Sequence, residues 1–128
     1  MKNREQALSL LKKATDDENL LEEVITSTQV SDEIFGFHCQ QAAEKLLKAL
    51  LSQAGIDFPR THNLRLLMDL LADTDVPLPE YLVDIDFLTP YGTLFRYEDL
   101  PCDVYLDRQR FLEMIRTLHQ VVADRLSV

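Results

Sequence analysis

Four of the side chains able to move a proton or hold an anion, Lys45, Lys48, Arg60 and His62, lie between residues 38 and 65. His62 stands just after the turn Asp57-Phe58-Pro59-Arg60, with Arg60 and Arg65 on either side of it. An imidazole at a helix start lies among free backbone N–H groups, and flanking guanidinium groups add to the attraction for a phosphate. The competing role for His62 is to cap or pack the turn. Upstream, Lys45 and Lys48 stand at i, i+3 on one helix and could take a phosphate between them. Glu44 and Lys48 stand at i, i+4, an ion pair worth about 0.3–0.5 kcal/mol if that face is solvated. His38 sits on or near an apolar stripe and reads as a core or interface residue. His119, mid-helix among polar neighbours, reads as structural or solvated.

Other chemistries lack their residues. His38 and Cys39 are adjacent and point to different helix faces, with no second His or Cys at ligand spacing, so no metal is expected. The glycines stand alone at 36, 55 and 92, so there is no phosphate-cradling Gly-rich loop and no cofactor is implied. A Ser or Cys nucleophile with a nearby base has no local signature.

The elements that must position these residues are helices. Ala7, Leu11, Ala14, Leu21 and Val24 or Ile25 mark one buried stripe of a helix over roughly Arg4–Thr26, with Asp16-Asp17-Glu18 interrupting it on the wet side at a bend. Ser31 caps a second helix, with Asp32 and Glu33 well placed against its dipole and Gly55 at its end. Thr61 caps a third helix carrying Leu64, Leu67, Met68 and Leu71. Pro77 and Pro79 precede a fourth, with Leu82, Ile85 and Leu88 in the core, which Thr89-Pro90-Tyr91-Gly92 breaks or kinks. Residues 94–101 read as a loop tied down by aromatics. The last helix runs from about Asp103 to Leu126 on Phe111, Ile115, Leu118 and Val122. No segment alternates with period two, so the fold class is all-α: an antiparallel, up-and-down bundle of four to five helices.

The 128 residues suit one domain over the whole chain, and 46% hydrophobic with 27% charged residues is ordinary for a globular protein. No apolar run is long enough for a membrane span. Two cysteines, Cys39 and Cys102, make no disulfide framework, and no signal-peptide core follows Met1, so a reduced cytoplasmic protein is expected. The net charge of −9 opposes indiscriminate RNA or DNA binding. The charge is uneven: residues 34–65 carry +2 and residues 73–107 carry −8. The two stretches are either solvated faces of opposite sign, or a basic site for an anion and an acidic surface for a basic partner.

The run Gln40-Gln41-Ala42-Ala43-Glu44-Lys45-Leu46-Leu47-Lys48-Ala49-Leu50-Leu51, followed by Pro59-Arg60-Thr61-His62-Asn63-Leu64 and more loosely by Tyr91 and Arg96-Tyr97, resembles the HEPN domain family. The resemblance implies a small antiparallel helical bundle, commonly a homodimer, often encoded beside a minimal nucleotidyltransferase as half of a toxin–antitoxin pair. It also implies a metal-independent ribonuclease in members that carry an Arg separated from a His by four to six residues, and nucleotide binding or partner interaction in members that do not.

That ribonuclease motif is absent. The positions that would need Arg are Ser31, Asp32 and Glu33 before His38; Gly55, Ile56 and Asp57 before His62; and Leu112, Glu113 and Met114 before His119. Arg60-Thr61-His62 and Arg116-Thr117-Leu118-His119 have the wrong spacing. Cleavage through a 2′-hydroxyl needs a proton shuttle and a fixed cation on the developing phosphate charge. Arg96 resembles the family's Arg, but Asp99-Leu100-Pro101-Cys102-Asp103 follows it where a His is expected.

The family pattern therefore implies a nucleotide- or phosphate-binding module with Lys45, Lys48, Arg60, His62 and Arg96 as its site, a homodimer with a nucleotidyltransferase partner. A ribonuclease assembled from Arg96 and His62 across a dimer is the alternative, and a structural adaptor the third reading. Arg96 could instead pair with Glu44, and Tyr91, Tyr97 and Tyr105 are the tyrosines that a partner enzyme could modify with a nucleotidyl group.

Overall fold

The computed structural model describes residues 3–75, 77–92 and 106–128. Among them are four α-helices, α1 (Arg4–Val24), α2 (Asp32–Ala54), α3 (Leu64–Ala72) and α4 (Arg108–Leu126), with a 3₁₀ helix, Glu80–Gly92, between the last two. No strand occurs among the described residues. This is the all-α bundle that the periodicity predicts.

α2 is the central element and packs against all the others. Its termini follow from local chemistry. The Ser31 hydroxyl accepts from the Ile34 N–H at 3.2 Å, and Gly55 closes the helix in the left-handed region at φ 77°, donating to the Leu51 and Ser52 carbonyls. α1 runs antiparallel to it: the Asn3 N–H donates to the Ser52 carbonyl at 2.9 Å, and Asp17 meets Lys45. Residues 55–63 then climb back along α2, bringing the His62 carbonyl to Gln40. α3 and the 3₁₀ helix lie antiparallel to one another, with Arg65 on Asp86 and the Leu64 N–H on the Thr89 hydroxyl.

The 3₁₀ helix replaces the fourth α-helix expected from the sequence. Leu82, Ile85, Leu88 and Tyr91 are its buried side chains, spaced by three, and three residues per turn set them in one line toward the core; Gly92 is buried at its end. An α-helix would spread them round its circumference. The helix also continues through Pro90 to Gly92 rather than breaking there.

Three further expectations are corrected. α1 is continuous through residues 16–18, and Glu18 has no exposed surface, because 7, 11, 14, 18 and 21 form a strict four-three spacing on the buried stripe. α3 is capped by Asn63, whose side chain accepts from the Leu66 N–H, while Thr61 accepts from the Asn63 N–H inside the turn. α4 begins at Arg108 on an Asp107 cap. Residues 93–105, with Arg96, Tyr97, Cys102, Tyr105 and the expected helix start at Asp103, lie outside the described residues.

Arg108 ties the bundle's upper end together. Its guanidinium donates to the carbonyls of Val24, Ser27 and Val30 and to the Asp32 carboxylate, over the Phe35 ring. The bend between α1 and α2 therefore has three of its carbonyls bonded by a side chain of α4, that of Val24 also accepting from the Ser27 N–H.

Candidate functional site

Gln40, Glu44 and Lys48 stand at i, i+4, i+8 along α2 and face the segment 55–63. The buried Glu44 carboxylate is their centre. His62 Nδ1 lies 2.7 Å from Glu44 Oε1, the Gln40 amide donates to the same oxygen at 3.1 Å, and Lys48 Nζ donates to Oε2 at 3.0 Å. The Gln40 amide also donates to the His62 carbonyl at 2.9 Å, so one fully buried side chain fixes both the backbone of His62 and its carboxylate partner. Gln40 is itself hemmed in: Gln41 donates to its Oε1, and a Cβ on Gly92 would stand 2.6 Å from its Cδ. The third glycine of the sequence is thus the packing surface for the site's anchor.

Burial pushes the Glu44 carboxyl upward, but hydrogen bonds from His62, Lys48 and Gln40 outweigh it and hold the group below the ordinary carboxylate range. Glu44 is therefore ionised near neutral pH and has no proton to give, so His62 Nδ1 carries one. This fixes the tautomer and leaves Nε2 as the free ring nitrogen, on a side chain that is 51% exposed. The result is a carboxylate-oriented imidazole open to solvent. It can accept a proton, or once protonated donate to an anion.

The cationic residues predicted for the site do not all converge on it. Arg60 is exposed and makes no hydrogen bond or ion pair among the described residues, two positions from His62. Lys48 is spent on Glu44 and covers the Phe58 ring at 5.7 Å. It is mostly buried, so the pair with Glu44 is not on the solvated helix face that the spacing suggests. Lys45 turns the other way and donates to Asp17 of α1 at 2.5 Å. The two lysines thus go to different carboxylates and do not share a phosphate-binding face. Arg65 is held by Asp86. Arg96 lies outside the described residues, and Glu44 finds its partners in His62, Lys48 and Gln40.

The other histidines are structural. His38 Nδ1 lies 3.3 Å from Asp17. His119 and Arg116 both reach the buried Glu18 across the α1–α4 interface, at 2.7 and 3.3 Å, and Arg116 also donates to Glu22. Burial raises the Glu18 carboxyl above its usual range, and His119 and Arg116 only partly offset this. Tyr91 is buried with its ring against the Gly36 backbone, and burial raises its hydroxyl.

No group of three or more metal-ligating side chains is found among the described residues, and no helix there is long and apolar enough to cross a membrane. The HEPN domain family model matches residues 5–126, almost the full length of the bundle. The chain belongs to the HEPN domain family. Comparison with curated proteins and with solved structures yields no significant match. In this HEPN domain the QQAAEK run supplies Gln40 and Glu44, and the PRTHNL run supplies the imidazole that they hold. The two signature segments are thereby one structural unit. Sequence reading paired Glu44 with Lys48 or Arg96 and missed His62. The eighteen-residue separation carries no periodic signal, and only the return of the chain along α2 brings the two together.

Proposed function

We propose that this HEPN domain binds a nucleotide or other phosphate ligand at the turn between α2 and α3, and works as one half of a two-protein system with a minimal nucleotidyltransferase, as a homodimer. The observation that supports the binding site is the exposed imidazole of His62, oriented by an ionised Glu44 and set two residues from the unengaged Arg60. An oriented imidazole and an exposed guanidinium two positions apart in the sequence suit a phosphate group. Lys48 acts through Glu44 in this reading, and Lys45 does not reach the ligand. Pairing with a nucleotidyltransferase in a toxin–antitoxin system and dimerisation rest on family membership.

Calorimetric titration with ATP and AMP tests the site, using the wild type and folded His62→Ala and Arg60→Ala variants. Binding should weaken about tenfold or more in each variant, the loss of one charge-assisted contact. No binding by the wild type, or equal binding by all three, overturns the reading. Metal-free incubation with RNA separates it from catalysis, because an oriented imidazole is also what cleavage requires. Cleavage lost in His62→Ala or Arg96→Ala would make the domain a ribonuclease with a non-standard site.

A further inference from the structure

A 3₁₀ helix of three residues per turn has three lengthwise columns of side chains. Leu82, Ile85, Leu88 and Tyr91 form the buried one. The second carries Tyr81 and Phe87, 67% and 61% exposed, on either side of Asp84. The third carries Val83, 43% exposed, between Glu80 and Asp86. Three of the seven exposed large apolar residues among those described therefore share this one short element. Val83 also walls a cleft of about 470 Å³ against α3, lined on its apolar side by Met68, Ala72, Leu78 and Pro79.

The rim of this apolar surface is acidic in a particular way. Three cations lie here and each is engaged: Arg65, which lines the cleft, on Asp86, Arg110 on Asp84, and Arg125 on the carbonyl of Pro77 in the cleft wall. Asp69 and Glu80, which line the cleft, and Asp73 and Asp75 just beyond α3 make no ion pair among the described residues. Such a surface repels phosphate ligands and nucleic acid. It also repels the same face of a second copy, whose own carboxylates would meet it in a chain of net charge −9.

We propose that this face docks a cationic amphipathic segment of a partner protein, its apolar side chains seated in the cleft beside Val83 and Met68 and against Phe87, its Lys or Arg side chains on Asp69 and Glu80. The mode is an amphipathic helix laid in a groove, with charge setting its orientation. The inference rests on the partner-binding half of the reading above and is independent of the nucleotide half.

The test is fluorescence anisotropy of a labelled synthetic helical peptide with Leu at i, i+3, i+4 and i+7 and Lys elsewhere. Two controls accompany it, one with Glu for every Lys and one with Ser for every Leu. The Lys/Leu peptide should bind and the controls should not. Val83→Glu and the double variant Asp69→Lys, Glu80→Lys should each weaken binding about tenfold or more, with unchanged circular dichroism. His62→Ala should leave peptide binding intact, and Val83→Glu should leave ATP titration intact, so the two proposals fail separately. Absent peptide binding, binding that survives these substitutions, or equal binding of the controls overturns the inference. So does a sedimenting dimer that Val83→Glu converts to monomer, since a second copy would then cover this face.

Discussion

Asp17 and Glu18 are consecutive on α1 and send their carboxylates to different helices. Asp17 turns to α2, where it takes Lys45 and His38, and Glu18 turns to α4, where it takes His119 and Arg116. Two adjacent acids thus join α1 to both long neighbours, and the burial of one and partial exposure of the other give them different energetics.

Glu18→Gln should stabilise the protein at pH 8 by about 1 kcal/mol, as removal of a buried ionised group can. The native carboxyl titrates above its ordinary value, so it contributes favourably at low pH, and that contribution is lost as pH rises from the unfolded value through the raised folded one. Arg116 and His119 are partly exposed and can hydrate when the charge is gone. Urea melts at pH 4 and pH 8 check this. A variant less stable at pH 8 than the wild type would show that the ion pairs outweigh the desolvation.

Glu44→Gln should have the opposite sign. The native carboxyl is held below its ordinary range, so its stabilisation is present above the unfolded value near 4.5 and is lost as pH falls through the folded one. At pH 7 the variant should lose about 1–3 kcal/mol, and the gap to wild type should shrink toward pH 3.5. The His62 ring should lose its fixed tautomer, read from its ring ¹⁵N shifts.

Gly36→Ala replaces a helical glycine and would gain about 1 kcal/mol by propensity alone. A Cβ there would stand 2.2 Å from the Tyr91 ring, which is buried and must shift to admit it. The expected result is a net loss of about 1–3 kcal/mol from overpacking, seen as a lower melting temperature. Gly36→Ala with Tyr91→Leu should recover most of it, a direct measure of the contact.

Asn63→Ala should lower stability by about 1 kcal/mol, because its side chain caps α3. Thr61→Ala removes only a bond within the exposed turn and should lose less. Equal losses in chemical denaturation would return the cap to Thr61.

Much of the bundle was legible because burial follows helical spacing. Ser31, Gly55 and the stripe of α3 declare themselves by residue type alone. Glu18 misled because its charge argued for the wet side, while the four-three spacing around it placed position 18 with Leu11 and Ala14. The three-residue interval from Leu82 to Tyr91 was present in the sequence, but a 3₁₀ run of that length is uncommon enough that an α-helix was the natural reading. At the candidate site, His62 was legible from its flanking cations. Its hold on Glu44 was not, since a long-range pairing across an irregular turn leaves no local mark. Lys45 and Lys48 share a helix face on paper, yet α1 lies on one side of α2 and the returning segment on the other, and each takes its own lysine.

Arg108 satisfies the carbonyls of Val24, Ser27 and Val30 from 84, 81 and 78 positions further along the chain. A ribosome adding about 5–20 residues per second therefore completes the bend at Val30 roughly 4–16 s before it makes the guanidinium that closes it. Through that interval the bend has only its local bonds, the Ser27 N–H on the Val24 carbonyl and the Gln29 and Val30 N–H groups on the Ser27 hydroxyl, and nothing from α4. A nascent chain arrested before residue 108 should present it as a protease-sensitive site, and a chain extended through α4 should protect it. The order of synthesis thus makes closure of the earliest bend a late event, and ties the resistance of the first two helices to arrival of the fourth.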